Sequence, residues 1–174
     1  MAKPKIDLVT IDSVRINDTR EMYFMWKELC LRIMGCSSRK INFPETISEQ
    51  IVCWALGLMW NKGSNCDAVN TETDEKIEIK ASNSSAPSSF SSRTPFDDLI
   101  FAKLDMRRDI LYIYDTHMSS EALKDIKMNK EQTYQDQQGQ TRRPRFDVYK
   151  MIIQAYNIPV TATVDMKNLK VTRF

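Results

Sequence analysis

Cys66-Asp67-Ala68-Val69 and, after a short polar turn, Lys76-Ile77-Glu78-Ile79-Lys80-Ala81-Ser82 form the stretch whose reading decides the fold. In the second run Ile77, Ile79 and Ala81 alternate with Lys76, Glu78, Lys80 and Ser82. That period of two predicts a strand with its apolar side chains on one face and its charged ones on the other. The two runs read as a hairpin, which sets Asp67 opposite an acid-x-base triplet and points Glu78 and Lys80 the same way. A hard cation such as Mg²⁺ takes oxygen ligands and keeps several waters, so two carboxylates and a phosphate oxygen make a chemically sensible shell.

Spacing alone does not single this triplet out, because Asp74-Glu75-Lys76, Asp125-Ile126-Lys127 and Asp165-Met166-Lys167 match acid-x-Lys as well. Context separates them. Only Glu78-Ile79-Lys80 combines β-type alternation, a preceding short strand that carries an acid, and a serine-rich loop directly behind. The competing reading is an exposed strand edge whose Lys and Glu are solvated charges.

The chain of 174 residues suits one domain with a real hydrophobic core. Its 25 basic and 23 acidic residues leave a formal net charge of +2, so any surface that attracts nucleic acid must be local. No apolar run approaches the ~20 residues that cross a bilayer, and Met1 to Lys5 lacks the apolar core of a signal peptide, which predicts a cytoplasmic protein without a membrane partner. Cys30, Cys36, Cys53 and Cys66 show no C-x-x-C pairing and read as reduced, mostly buried thiols. His117 is the single histidine, which disfavours histidine metal sites and Ser-His-Asp triads. Carboxylates and lysine must therefore carry any catalysis.

Upstream of the hairpin, 18–34 reads as an amphipathic helix with Met22, Met25, Trp26, Leu29 and Ile33 at helical spacing. A serine-rich, basic break from Gly35 to Asn42 precedes a second helix, Pro44 to Leu58, apolar on more than one side. A carboxylate in such a helix needs a reason, and Glu49 has two. It is a third acid leaning over the metal, or the closing member of a capping box in Thr46-Ile47-Ser48-Glu49. Glu45 reads as an N-terminal dipole partner. Leu58 to Lys62 suits a short strand, and Gly63-Ser64-Asn65 a turn.

Downstream, Ser82 to Thr94 holds seven serines with Asn83 and Arg93, and sits between core elements as a binding loop would. Thr94-Pro95 predicts a helix start, with Phe96, Leu99, Ile100 and Leu104 as its core stripe. Asp109 to Asp115 reads as a strand, Ser120 to Met128 as a short helix, and Gln135 to Gln140 as an exposed loop. Arg142, Arg143 and Arg145 around Pro144 form the densest basic cluster. Arginine's planar fork suits phosphate or guanine O6 and N7, while the bland alternative is a solvated loop. A helix from Phe146 to Tyr156 and a hairpin of Val160 to Asp165 with Leu169 to Phe174 complete the chain.

The order of helix with Glu49, short strand, Asp67 strand, Glu78-Ile79-Lys80 strand, helix and strand is similar to the αβββαβ core of the PD-(D/E)XK nuclease superfamily. The resemblance implies an α/β (α+β) fold with a central mixed sheet flanked by helices. It implies one nuclease domain over 1–174, with a core at about 44–115, an N-terminal helix at 18–34 and a DNA-reading and bracing region at 116–174. Cys66 stands where the superfamily has proline, which leaves the following acid in place. Asn42-Phe43-Pro44-Glu45 and Arg142-Arg143-Pro144-Arg145-Phe146 resemble the small type II restriction endonuclease subfamily that cuts GCNGC.

What this resemblance implies is Mg²⁺-dependent phosphodiester hydrolysis by in-line attack of water on double-stranded DNA. Asp67, Glu78 and the Ile79 backbone carbonyl would hold the metal, Glu49 would be the helix-borne acid of the same site, and Lys80 would position the water. A lysine near its ordinary pKa of about 10.4 is a poor base at neutral pH, which favours orientation and electrostatics for Lys80. Ser82, Asn83, Ser88, Ser89, Ser91 and Arg93 of the loop, with Arg142, Arg143 and Arg145, would contact DNA. A palindromic site implies a homodimer, with the N-terminal helix a candidate contact. A restriction system implies a separate cognate methyltransferase. Two other functions fit the same residues: a structure-specific repair or junction nuclease, and a DNA-binding module in which the triplet is incidental.

Overall fold

A computed structural model describes residues 5–36 and 41–174, so residues 37–40 of the break between the two N-terminal helices and the first four residues lie outside it. The elements run β1 (Leu8–Val9), α1 (Ser13–Met34), α2 (Glu45–Leu56), β2 (Met59–Asn61), β3 (Ala68–Asn70), β4 (Glu75–Ser82), β5 (Ser88–Ser89) and β6 (Asp98–Asp105). They continue with β7 (Ile110–Asp115), α3 (Tyr134–Gly139), β8 (Arg145–Phe146), a π-helix (Tyr149–Gln154), β9 (Ala162–Asp165) and β10 (Lys170–Arg173). Eight strands form one sheet in the order β1-β2-β3-β4-β6-β7-β9-β10, while β5 pairs with β8 apart from it. Within the main sheet β4 and β6 run parallel and the other pairs antiparallel. This mixed sheet flanked by helices is the predicted fold class, a restriction-endonuclease-like core.

The sheet is buried on both sides. Ile77, Ile79, Ile100, Ala102, Leu104, Leu111 and Ile113 pack with α1 and α2 in one core. On the other side Leu99 and Phe101 meet Phe90, Phe96, Tyr134, Phe146 and Ile152 in a second. β6 therefore sends alternate side chains into two cores, and this is where the predicted helix from Pro95 fails. A short continuous apolar run fits a doubly buried strand as well as a helix. The connection from β4 to its parallel neighbour β6 consequently contains no helix, a departure from the αβββαβ order.

Both N-terminal helices are present. α1 starts earlier than predicted, because Asp12 accepts the Arg15 backbone N–H at 2.8 Å as its cap. Thr19 Oγ1 bonds Gln50 Oε1 of α2 at 3.2 Å, and Tyr23 Oη donates to Asp109 at 2.7 Å in the β6–β7 turn. Lys27 pairs with the same carboxylate. α2 ends where Gly57 adopts φ of 75° and returns its N–H to the Cys53 carbonyl, a left-handed cap that costs glycine little.

Of the two readings of Glu49, the capping box with Thr46 does not form. Pro44 is the N-cap, without a side-chain cap bond, and Glu49 lies beyond the first turn. Further along, Ser120 to Met128 forms turns rather than a helix. The predicted loop at Gln135 to Gln140 falls largely within α3, which a true capping box between Thr133 and Asp136 starts. The predicted helix from Phe146 begins instead as strand β8 and continues as the short π-helix. The terminal hairpin pairs β9 with β10 as the sequence predicts. Cys30, Cys53 and Cys66 are buried free thiols and Cys36 is exposed.

Candidate active site

The β3–β4 hairpin aligns Ala68 with Ile77 and Asn70 with Glu75, which leaves Asp67 at the mouth of the hairpin facing the middle of β4. The Asp67 N–H donates to the Ile77 carbonyl at 3.1 Å, and its carboxylate Oδ2 accepts the Ile79 N–H at 2.8 Å. The acid is thus fixed by backbone on both sides. From the polar face of β4 Lys80 Nζ meets Glu78 Oε1 at 2.6 Å and Asp67 Oδ2 at 3.8 Å. Alternation along one strand thereby places a lysine between two carboxylates.

Glu49 reaches the same cleft from α2, where its Oε2 accepts the indole N–H of Trp60 at 2.8 Å. Glu49, Asp67, Glu78 and Lys80 all line this cleft of about 530 Å³, together with Trp60, Ser89, Phe90, Ser91 and Arg143. Lys80 lies 5.7 Å from the centroid of the Phe90 ring.

Burial and like charge dominate the electrostatics. Desolvation, with repulsion from Glu78, pushes the Asp67 carboxyl up to about 8, against the pull of Lys80. Desolvation also raises Glu49, while the Trp60 bond acts the other way. Burial alone would lower Lys80, but Glu78 and Asp67 outweigh it and hold the ammonium above its ordinary range. Lys80 is therefore a cation at neutral pH and has no proton-accepting lone pair to offer.

The predicted DNA contacts divide. β5 and β8 pair Ser88 with Phe146 and Ser89 with Arg145, which joins the serine loop to the arginine cluster. Phe90 stacks on Phe146 at 5.1 Å behind that ribbon. Ser82, Asn83, Ser88, Ser89 and Arg145 line a second cleft of about 190 Å³, which shares Glu45, Lys80 and Ser89 with the first. Arg93 and Arg142 are exposed and line neither cleft. The hydroxyls of Ser82 and Ser91 are engaged locally, with the Ser84 carbonyl at 2.6 Å and Thr94 Oγ1 at 3.0 Å.

Two contributors were not read from the sequence. Trp60 holds Glu49, and nothing in a short apolar run signals an indole aimed at an acid eleven residues earlier. Asn61 braces the Asp67 loop by donating to the Cys66 carbonyl at 2.9 Å and accepting the Gly63 N–H at 2.9 Å. Elsewhere Asp98, Asp115 and His117 bring three potential ligand atoms within 4.8 Å of one another. Burial and the neighbouring Asp115 push Asp98 up to about 8. They line a different cleft, with no residue in common with the one that holds Asp67.

Two acids and a lysine converging at the mouth of a β-hairpin, on a mixed sheet backed by two helices, define a protein of the restriction-endonuclease-like class. The family model for the Bsp6I restriction endonuclease matches residues 11–155. The type II restriction enzyme Bsp6I of Bacillus sp. (strain RFL6) is 45% identical over 169 residues, covering 96% of this chain and 97% of that protein. The chain belongs to the Bsp6I restriction endonuclease family, and it is a type II site-specific deoxyribonuclease.

Proposed function

We propose that this enzyme cuts double-stranded DNA at a palindromic site of the GCNGC type with Mg²⁺ as cofactor. It works in the cytoplasm as a homodimer, beside a separate methyltransferase that protects the same sites. Residues 1–174 act as one nuclease domain. The observation that carries the reading is the convergence of Asp67, Glu78 and Lys80 within one cleft, with Lys80 Nζ 2.6 Å from Glu78 and 3.8 Å from Asp67.

The donor set suits the ion. Burial, with repulsion from Glu78, holds Asp67 at about 8, and a divalent cation among these carboxylates would offset both. Asp67, Glu78 and the Ile79 carbonyl would hold Mg²⁺, with Glu49 as the acid brought in by α2. Bound there, Mg²⁺ supplies Lewis acidity toward the phosphate and the attacking water. Lys80, kept cationic by its two carboxylates, orients the water and offsets charge that builds on the phosphate. The β5–β8 ribbon presents Ser88, Ser89 and Arg145 beside this centre, with Arg143 in the same cleft as the acids. The arginine fork favours guanine in the major groove.

The test is incubation with a sequenced plasmid and Mg²⁺, reading the ends of the fragments. One recurrent short palindromic site is expected, with no cleavage by Asp67→Ala or Glu78→Ala. Equal cleavage by all three proteins would remove the catalytic assignment, and cutting only at branches or mismatches would replace sequence by structure as the target.

A further inference from the structure

α1 carries more apolar surface outward than the fold uses. Of the ten large hydrophobic side chains exposed among the described residues, seven stand on this helix, with Met25 70%, Leu31 56% and Leu29 50% exposed. The helix is already fixed by its opposite face, where Ile16, Tyr23, Trp26 and Cys30 are buried. Scattered exposed apolar residues are ordinary on a protein surface, but their concentration on one element marks a contact surface.

At about 100° per residue, Val14, Asp18, Glu21, Met25, Leu29 and Arg32 form one stripe along the outer face of α1. The stripe itself carries Asp18 and Glu21 in its N-terminal half and Arg32 in its C-terminal half, where Arg32 also meets Glu28 at the edge of the stripe in an exposed pair that is readily exchanged. This decides how a second copy can lie on it. Parallel packing about a two-fold axis sets every residue against itself and brings Asp18 onto Asp18, an unfavourable like-charge contact. Antiparallel packing about an axis through Met25 sets Met25 against Met25, because Asp18 and Arg32 lie equally far on either side of it. Asp18 of each copy then faces Arg32 of the other, twice in the dimer, as a self-complementary two-fold contact requires.

We infer that α1 is the dimer contact of this enzyme, packed antiparallel on α1 of a second copy with Met25 at the axis. The inference rests on the reading of the protein as a two-fold nuclease on a palindromic site. It also places the contact one helix away from the cleft, since Thr19 of α1 bonds Gln50 of α2, next to Glu49.

Sedimentation equilibrium of the full chain, with circular dichroism as a check on folding, tests it. Met25→Glu is expected to weaken dimerisation at least tenfold, roughly the loss at a central interface residue. Asp18→Arg and Arg32→Asp are each expected to weaken it by about tenfold, and the charge exchange that combines them to restore it to within about threefold. A wild-type dimer indifferent to Met25→Glu would overturn the assignment, and single reversals without rescue would overturn the antiparallel register. A wild type that stays monomeric with and without duplex would overturn the two-fold reading itself. The catalytic assignment is read independently, from Mg²⁺-dependent cleavage by the same preparations.

Discussion

Trp60 donates its indole N–H to Glu49 Oε2 at 2.8 Å, so a residue of β2 fixes an acid that α2 brings to the cleft. Trp60 is itself nearly buried, at 9% exposure, and its ring carries the Arg15 guanidinium 5.9 Å from its centroid. A carboxylate raised by desolvation and held by one donor is well positioned and easily disturbed. Trp60→Phe keeps an aromatic ring, though a smaller one, and removes the donor. It should reduce Mg²⁺-dependent turnover by about 10–100-fold, the usual effect of losing a partner that orients a metal-site acid. The loss should appear as a rise in the Mg²⁺ concentration needed for half-maximal rate, with DNA binding unchanged. An unaltered Mg²⁺ dependence would show that Glu49 is not part of the metal site.

Lys80→Ala removes the cation between Glu78 and Asp67 without touching the β4 backbone. Turnover should fall by about 10²–10³-fold, as when a preorganised donor is removed from a reacting centre. DNA affinity measured in Ca²⁺ should change far less. Equal losses in rate and affinity would instead make Lys80 a simple phosphate contact.

Arg143 and Arg145 line the two adjoining clefts, whereas Arg93 and Arg142 line neither. Arg143→Ala and Arg145→Ala should each weaken binding to specific duplex by about 1–3 kcal/mol if they read bases. Arg93→Ala and Arg142→Ala should produce smaller, sequence-independent losses and a shallower salt dependence. The reverse ranking in fluorescence anisotropy titrations across salt would contradict this division.

Asp109 joins α1 to the sheet through Tyr23 and Lys27, and also faces Lys167 of the β9–β10 turn. Burial alone would raise its pKa, but the bonds from Lys27 and Tyr23 outweigh burial and draw it below the ordinary carboxylate range. Its contribution to stability is therefore complete above the unfolded carboxylate pKa of about 3.9 and is lost as pH falls through the lower folded value. Asp109 has φ of 59°, a conformation that asparagine also tolerates, so Asp109→Asn removes the charge without imposing backbone strain. Urea unfolding at pH 7 should show a loss of about 2–3 kcal/mol. The gap between the two proteins should narrow as pH falls below the ordinary carboxylate range and close once Asp109 is protonated in the folded state as well. A gap that persists there would mean that the charge is not its source.

The sequence determined the two N-terminal helices, the β3–β4 hairpin, the terminal hairpin, and the shared face of Glu78 and Lys80 on β4. These follow from periodicities of 3.6 and 2.0, which are local, and a two-residue alternation fixes which side chains share a face. The run from Phe96 to Leu104 carries a helix-like pattern although most of it is strand β6, because a strand buried on both faces leaves no alternation to read. Only the tertiary structure decided that Glu49 serves Trp60 rather than its own helix terminus, since both geometries need an acid at that position. It alone brought Ser89 opposite Arg145, because pairing of short strands far apart in the chain depends on the cores that bury Phe90 and Phe146. Local pattern thus gives which side chains share a face, while convergence on one point comes from how the elements pack.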